Sequence, residues 1–190
     1  RRKSIQRNHS ATHILHHALR EVLGTHVRQA GSLVTPDRLR FDFSHFEAPS
    51  KVQLAKIEAI ANNLILQNDP VKSYEVPFDD KPEDCIAFFG EKYGDVVRVV
   101  DMGGWSKELC GGTHVTATGE IGLLKVVSES AISAGTRRIE AVVGESAYAM
   151  VVEQYDLLHD VAGRLSCKPE EVGQRLDVHL EQQKKLEREL

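Results

Sequence analysis

The sequence has no excess of basic charge: 24 Lys and Arg stand against 28 Asp and Glu, for a net charge of −4. That argues against indiscriminate binding to polyanions, although local basic patches survive the average. Arg1, Arg2, Lys3 and Arg7 cluster at the start, and Arg137 and Arg138 stand together later. Cysteine is also scarce. Cys85, Cys110 and Cys167 cannot all pair and form no CxxC, so a disulfide framework is excluded as the organising principle and a reducing, cytoplasmic setting is expected. No apolar run approaches the ~20 residues of a membrane span, so no membrane partner is expected. The chain opens on Arg1-Arg2-Lys3 without an initiator Met or an apolar leader, which reads as an excised fragment or a processed chain and not as a secreted protein. No internal repeat or low-complexity linker interrupts it.

What is present suits a folded body. Of 190 residues, 41% are apolar and 27% charged, enough for a core in one domain plus an appendage, or in two small domains. Ile14, Leu15, Ala18, Leu19, Val22 and Leu23 recur at helical spacing and predict a helix over 8–23, capped by Asn8 and stopped by Gly24. Residues 26–35 and 38–45 predict two strands about the turn Pro36-Asp37. In the second, Leu39, Phe41 and Phe43 alternate with Arg40, Asp42 and Ser44, which puts Asp42 on a wet face. Ser50 and Gln53 form a capping box for a helix with Ile57, Ile60, Ala61, Leu64 and Ile65 inward, ended by Asn68-Asp69-Pro70. Further strands are expected over 71–76, 95–102, 121–130 and 136–143, with a short helix or turn over 82–90. This irregular alternation predicts an α+β domain over 1–144 with a mostly antiparallel sheet packed with helices.

After Gly144 the pattern changes. Tyr148, Val152, Tyr155 and Leu158 mark one helix, and Lys168-Pro169 is expected to break it. A second carries Val172, Leu176, His179, Gln183, Leu186 and Leu190 at alternating spacings of three and four, a short heptad seam. Residues 145–190 therefore read as a helical linker, in the form of a hairpin or a coiled-coil stalk.

The chemistry concentrates in two pairs. His9 and His13 lie one turn apart and project from one helix face. Cys110 and His114 flank Gly111-Gly112, a turn able to bring both side chains to one point. Three nitrogens and a thiolate suit a tetrahedral zinc ion. A metal joining two such distant segments would tie the domain together. The first pair is not an HExxH protease site, because Ser10 stands where that motif has its glutamate. His13 with His17 makes a second HxxxH, so spacing alone leaves the ligand set open. His16 is a supporting or core position, and His17, His26, His45, His159, His179, Cys85 and Cys167 read as structural.

Six blocks then resemble the editing domain of bacterial alanyl-tRNA synthetases. They are Arg7 to His13, Gln29 to Ser32, Leu39 to His45, Phe89 to Tyr93, Glu108 to His114 and Arg137 to Ala141, in that family's order. The resemblance spans residues 1–144, and the tail is similar to the start of the family's linker to a C-terminal domain. It implies hydrolysis of Ser-tRNA(Ala) and Gly-tRNA(Ala) at the aminoacyl ester, with zinc as cofactor. It also implies tRNA(Ala), through a 3′ end carrying Ser or Gly, and the rest of the synthetase as partners. It places the zinc ligands on His9, His13, Cys110 and His114, the editing-site glutamine on Gln29, and the Gly-Gly turn on Gly111 and Gly112. Thr12, Asp42 and Arg138 are further substrate-binding candidates. Thr12 competes with a helix-surface reading, Asp42 with a solvent-facing one, and Arg138 with a plain surface charge. Three alternatives stand beside this: a stand-alone trans-editing hydrolase, the editing domain of threonyl-tRNA synthetases, which is similar in its HxxxH and CxxxH but not in Gly111-Gly112-Thr113 or Arg137 to Ala141, and a non-catalytic zinc-stabilised RNA-binding module.

Overall fold

The computed structural model describes residues 1–87 and 93–189. Helix α1 (Arg2–Leu23) ends at Gly24, whose φ of 115° no other residue type adopts readily. It starts six residues before the expected Asn8 cap. Asn8 is instead buried in mid-helix and donates through Nδ2 to Ser4 O and Pro36 O. That side chain ties the helix to the first hairpin turn and leaves no cap to make.

Strands β1 (Gln29–Val34) and β2 (Leu39–Ser44) form the expected antiparallel hairpin. Helix α2 (Lys51–Leu66) begins with the Ser50–Gln53 capping box and buries Ile57, Ala61 and Ile65. Strand β3 (Val71–Pro77) leads to a single 3-10 turn at Phe78–Asp80, and then come β4 (Val96–Met102) and β5 (Ser106–Leu109). Strands β6 (Leu124–Ser133) and β7 (Thr136–Val143) complete the body. The turn or helix expected over 82–90 contains a turn at 83–84 and a bridge at Ile86. Its last residues, and most of the Phe89–Tyr93 block, lie outside the described residues.

The strands make two antiparallel sheets, ordered β1-β2-β7-β6 and β3-β4-β5. The fold class is thus α+β. One core runs through both sheets: α1 contributes Ala11, Ile14, Leu15, Ala18 and Leu19, the larger sheet Leu39, Phe41, Phe43, Ile139 and Ala141, and the smaller sheet Val100 and Met102. Because α1 packs against β2, β5 and β7, its polar residues as well as its apolar ones become buried.

The chain divides into two compact units, Arg1–Ala147 and Tyr148–Leu190. Helix α3 (Glu145–Arg164) ends before Lys168-Pro169, the expected break. The turn falls instead at Ser166, held at a φ of 52°. Helix α4 (Val172–Glu189) follows and buries none of its described residues. Among the described residues, no helix is long and apolar enough to cross a membrane.

Candidate metal centre

Three local features converge. On α1, His9 and His13 stack one turn apart with ring centroids 5.5 Å from each other. On the far side, β5 ends at Leu109 and the chain turns through Cys110-Gly111-Gly112-Thr113 to His114. Arg98 of β4 clamps that turn, donating from Nη1 to the carbonyls of Cys110 and Gly112, while Cys110 N–H donates to Arg98 O. Gly112 is required by close approach: a Cβ there would stand 1.9 Å from Cε1 of His9. Gly111 has open space at the same test. Neither glycine has a positive φ, so the turn depends on a small residue at 112 and not on unusual backbone angles.

The four expected ligands come together. One donor atom each from His9, His13, Cys110 and His114 lies within 4.8 Å of the others. Cys110 Sγ and His9 Nε2 are 3.4 Å apart, close to the ~3.6 Å that a tetrahedral zinc imposes between sulfur and nitrogen ligands. The outer hydrogen bonds select the tautomers. His13 Nδ1–H donates to Glu108 Oε2 at 2.7 Å, and His114 Nδ1 meets Ser10 Oγ at 3.2 Å. Nε2 of each ring is left buried without a hydrogen-bond partner. Two orphaned ring nitrogens facing a thiol are what a soft cation relieves, so the residues fit a metal of the zinc type.

Electrostatics agree. Burial alone would push His13 down, but the Glu108 carboxylate and the neighbouring Cys110 sulfur outweigh it and hold the imidazole well above its usual range. Burial favours the neutral thiol of Cys110, yet the imidazoles of His114, His13 and His9 beside it hold it far below the ordinary range. Glu108 is likewise held low against burial by His13 and His16. A half-buried thiolate and a buried carboxylate facing imidazoles make a pocket that demands positive charge.

Glu108 is the residue that motif reading missed. Its Oε1 accepts from His16 Nδ1–H at 2.9 Å while Oε2 serves His13, and all three side chains are almost fully buried. A signal existed: Ser106, Glu108 and Cys110 fall on one face of β5 and its extension, so a charge at 108 had to point inward with the thiol. Ser10 is the other omission, joining His114 Nδ1 and accepting from Val115 N–H.

The remaining candidates are placed elsewhere. Gln29 opens β1, donates from Nε2 to Ser32 Oγ, and lines a cavity of about 290 Å³ with His16, Arg20, Thr25, Arg28, Ile86 and Ala87. Thr12 is not a helix-surface residue. It is buried, and its hydroxyl donates to Asn8 O within α1. Asp42 is not solvent-facing, because Arg138 lies directly opposite across the β2–β7 pair. Arg138 donates from Nε and Nη2 to both Asp42 oxygens at 2.7 and 2.9 Å, and the carboxyl is held below its usual range chiefly by that hydrogen bonding. Arg138 is thereby a paired charge and not a free one.

Comparison with known proteins identifies the family. Residues 97–140 fit the family described as the threonyl and alanyl tRNA synthetase second additional domain. All of the chain aligns with alanine–tRNA ligases: it is 57% identical to that of Opitutus terrae and covers 20% of that protein. The identity is 54% with the enzyme of Geobacillus kaustophilus, at 21% coverage, and 48% with that of Halorhodospira halophila, at 22%. The chain thus spans about a fifth of the length of these relatives. With its whole length matched and the second additional domain inside it, this chain belongs to the bacterial alanine–tRNA ligase family as a segment of it.

Proposed function

We propose that residues 1–144 form an editing domain that hydrolyses the aminoacyl ester of Ser-tRNA(Ala) and Gly-tRNA(Ala). The observation that carries this reading is the His9, His13, Cys110, His114 cluster, linked through the Glu108 carboxylate to His16 in the wall of the Gln29 cavity. The four side chains would hold zinc. When bound, the ion would supply fixed positive charge beside the reacting ester.

The chain's own groups then have distinct tasks. Gln29 carries an amide that both donates and accepts, suited to the seryl hydroxyl or the ester carbonyl. The backbone N–H groups of Gly111 and Gly112, in a turn clamped by Arg98, would donate to the carbonyl oxygen as it gains charge or to the terminal ribose. Glu108 and Ser10 keep the imidazoles in fixed orientation, so the site need not reorganise during reaction. Thr12 and Asp42 are occupied within the fold, by Asn8 O and by the Arg138 guanidinium. The need for such a site is physical. A pocket built for alanine separates it from serine or glycine by only ~10–200-fold, so a second, hydrolytic sieve is required for higher fidelity.

The test is deacylation of seryl-, glycyl- and alanyl-tRNA(Ala) by this chain, with metal content measured alongside. Release of serine and glycine well above the buffer rate, with alanine spared, is the expected result. Gln29→Ala keeps its metal and changes the Ser/Ala ratio; identical kinetics on all three esters would count against that role. No deacylation by a fully metallated chain would favour the RNA-binding module.

A further inference from the structure

We propose that the cavity beside Gln29 binds phosphate groups of the RNA strand whose end carries the ester. This rests on the hydrolytic reading above and specifies how that site grips its substrate.

The first argument is charge. Two guanidinium groups, Arg20 and Arg28, line the cavity, and no carboxylate does among the described residues. Five other arginines of the same unit are neutralised: Arg7 lies within 4 Å of Glu145, Arg38 of Glu140, Arg40 and Arg138 of Asp42, and Arg137 of Glu129, while Arg98 donates to the carbonyls of Cys110 and Gly112. Among the described residues no acid does this for Arg20 or Arg28. Two unneutralised guanidinium groups in one concavity are a receptor for an anion, and planar bidentate donors suit phosphate oxygens.

The second argument is preorganisation. Arg20 donates from Nη1 to Thr25 O and Val27 O, both at 2.8 Å. Those bonds fix the side chain while leaving its other donors for a ligand, so little rotamer freedom remains to be lost on binding. Thr25 and Gln29 add neutral donors to the rim. Behind them His16, 1% exposed, forms part of the wall, and its Nε2 is buried without a partner.

The third argument is size and continuity. About 290 Å³ is near the lower end for a small-molecule site and accommodates a phosphate with part of its sugar, not a folded duplex. His16 and His13 share the Glu108 carboxylate, so this wall and the metal centre form one hydrogen-bonded unit. A strand held here by its phosphates therefore has its end close to the reactive groups.

The experiment uses the full chain and a 5′-fluorescein-labelled CCA trinucleotide, read by anisotropy over a series of salt concentrations. Arg28→Ala, a change at an exposed residue, is expected to weaken binding ~10-fold, as for one missing charge-assisted hydrogen bond. The slope of log affinity against log salt should also fall by ~0.7 for each phosphate no longer neutralised. Thr25→Glu, which sets a carboxylate at the rim without touching either arginine, should weaken binding at least as much. Lys51→Ala, an equal loss of charge at the start of α2, should leave it unchanged. Wild-type affinity in Arg28→Ala, an equal loss in Lys51→Ala, or no trinucleotide binding at all would overturn the proposal. Inorganic phosphate should displace the strand only at concentrations ~100-fold above unlabelled trinucleotide; equal potency would make this a free-phosphate site and overturn the RNA assignment. The two readings fail separately. Binding without any deacylation sinks the hydrolysis and spares the cavity, whereas deacylation with an unaltered KM in Arg28→Ala sinks the cavity alone.

Discussion

Helices α1 and α4 are of similar length, 22 and 18 residues, and both carry apolar stripes, yet they have opposite fates. Ten residues of α1 are buried, and five of them are polar: Asn8, Ser10, Thr12, His13 and His16. None of the described residues of α4 is buried, and Leu176, Val178, Leu180 and Leu186 are all exposed. The difference teaches that a stripe sets which face can be covered, while the neighbours decide how much is. Helix α1 has sheet on more than one side, so even its hydrophilic positions lose water and must find partners. The candidate site is built from that necessity.

The largest effect should come from breaking the partnership across the metal pair. Cys110→Ala removes the only thiolate from the cluster and is expected to abolish stoichiometric zinc together with most activity. Since a structural zinc contributes folding free energy of up to ~10 kcal/mol or more, the unfolding midpoint of the 1–147 unit should also fall sharply. Equal zinc in mutant and wild type by metal analysis would refute the ligand assignment.

Next is the apolar side of α1. Leu15 is fully buried in the shared core, so Leu15→Ala should cost ~2–5 kcal/mol of unfolding free energy. Denaturant titration with an unchanged m-value would measure it.

Glu108→Gln tests the polar side of the same helix. It keeps the shape but removes the charge on which both His13 and His16 depend. Metal affinity should fall ~10–100-fold, as for other missing outer partners of metal-bound histidines. Competition with a chelator of known affinity reads this directly, without reference to catalysis. Unaltered affinity would show that Glu108 serves folding and not the metal.

These polar pairings also mark the limit of what local patterns reveal. Helix α2 was legible because its cap, stripe and stop all lie within one segment: Ser50, Gln53, Ile57, Ala61 and Pro70. The β1–β2 hairpin and strand β7 were legible for the same reason. Strand β5 was not, being four residues long with Ser106 and Glu108 as its inward positions. Asp42 alternates with apolar residues and so reads as wet, but Arg138 lies 96 positions away and closes over it. Asn8 has the chemistry of a cap, and it is the Pro36 carbonyl, 28 positions on, that draws it into mid-helix. The metal cluster is the opposite case. Cys110 and His9 are 101 positions apart, and their meeting was readable only because two strong local pairs and a family resemblance pointed to the same four side chains.

The smallest effect returns to α4. Leu186 is 62% exposed, and Ala has the higher helix propensity. Replacing Leu186 by Ala therefore removes little buried area and restores some backbone preference, so unfolding free energy should change by ~0.5 kcal/mol or less. The measurement is made at two protein concentrations spanning a hundredfold range. A loss of ~2 kcal/mol that grows with concentration would mean that the heptad face is covered by a second copy of the chain, since mass action links stability to protomer concentration only when folding and association are coupled. The contrast with α1 would then lie in where the covering surface comes from, and no longer in whether one exists.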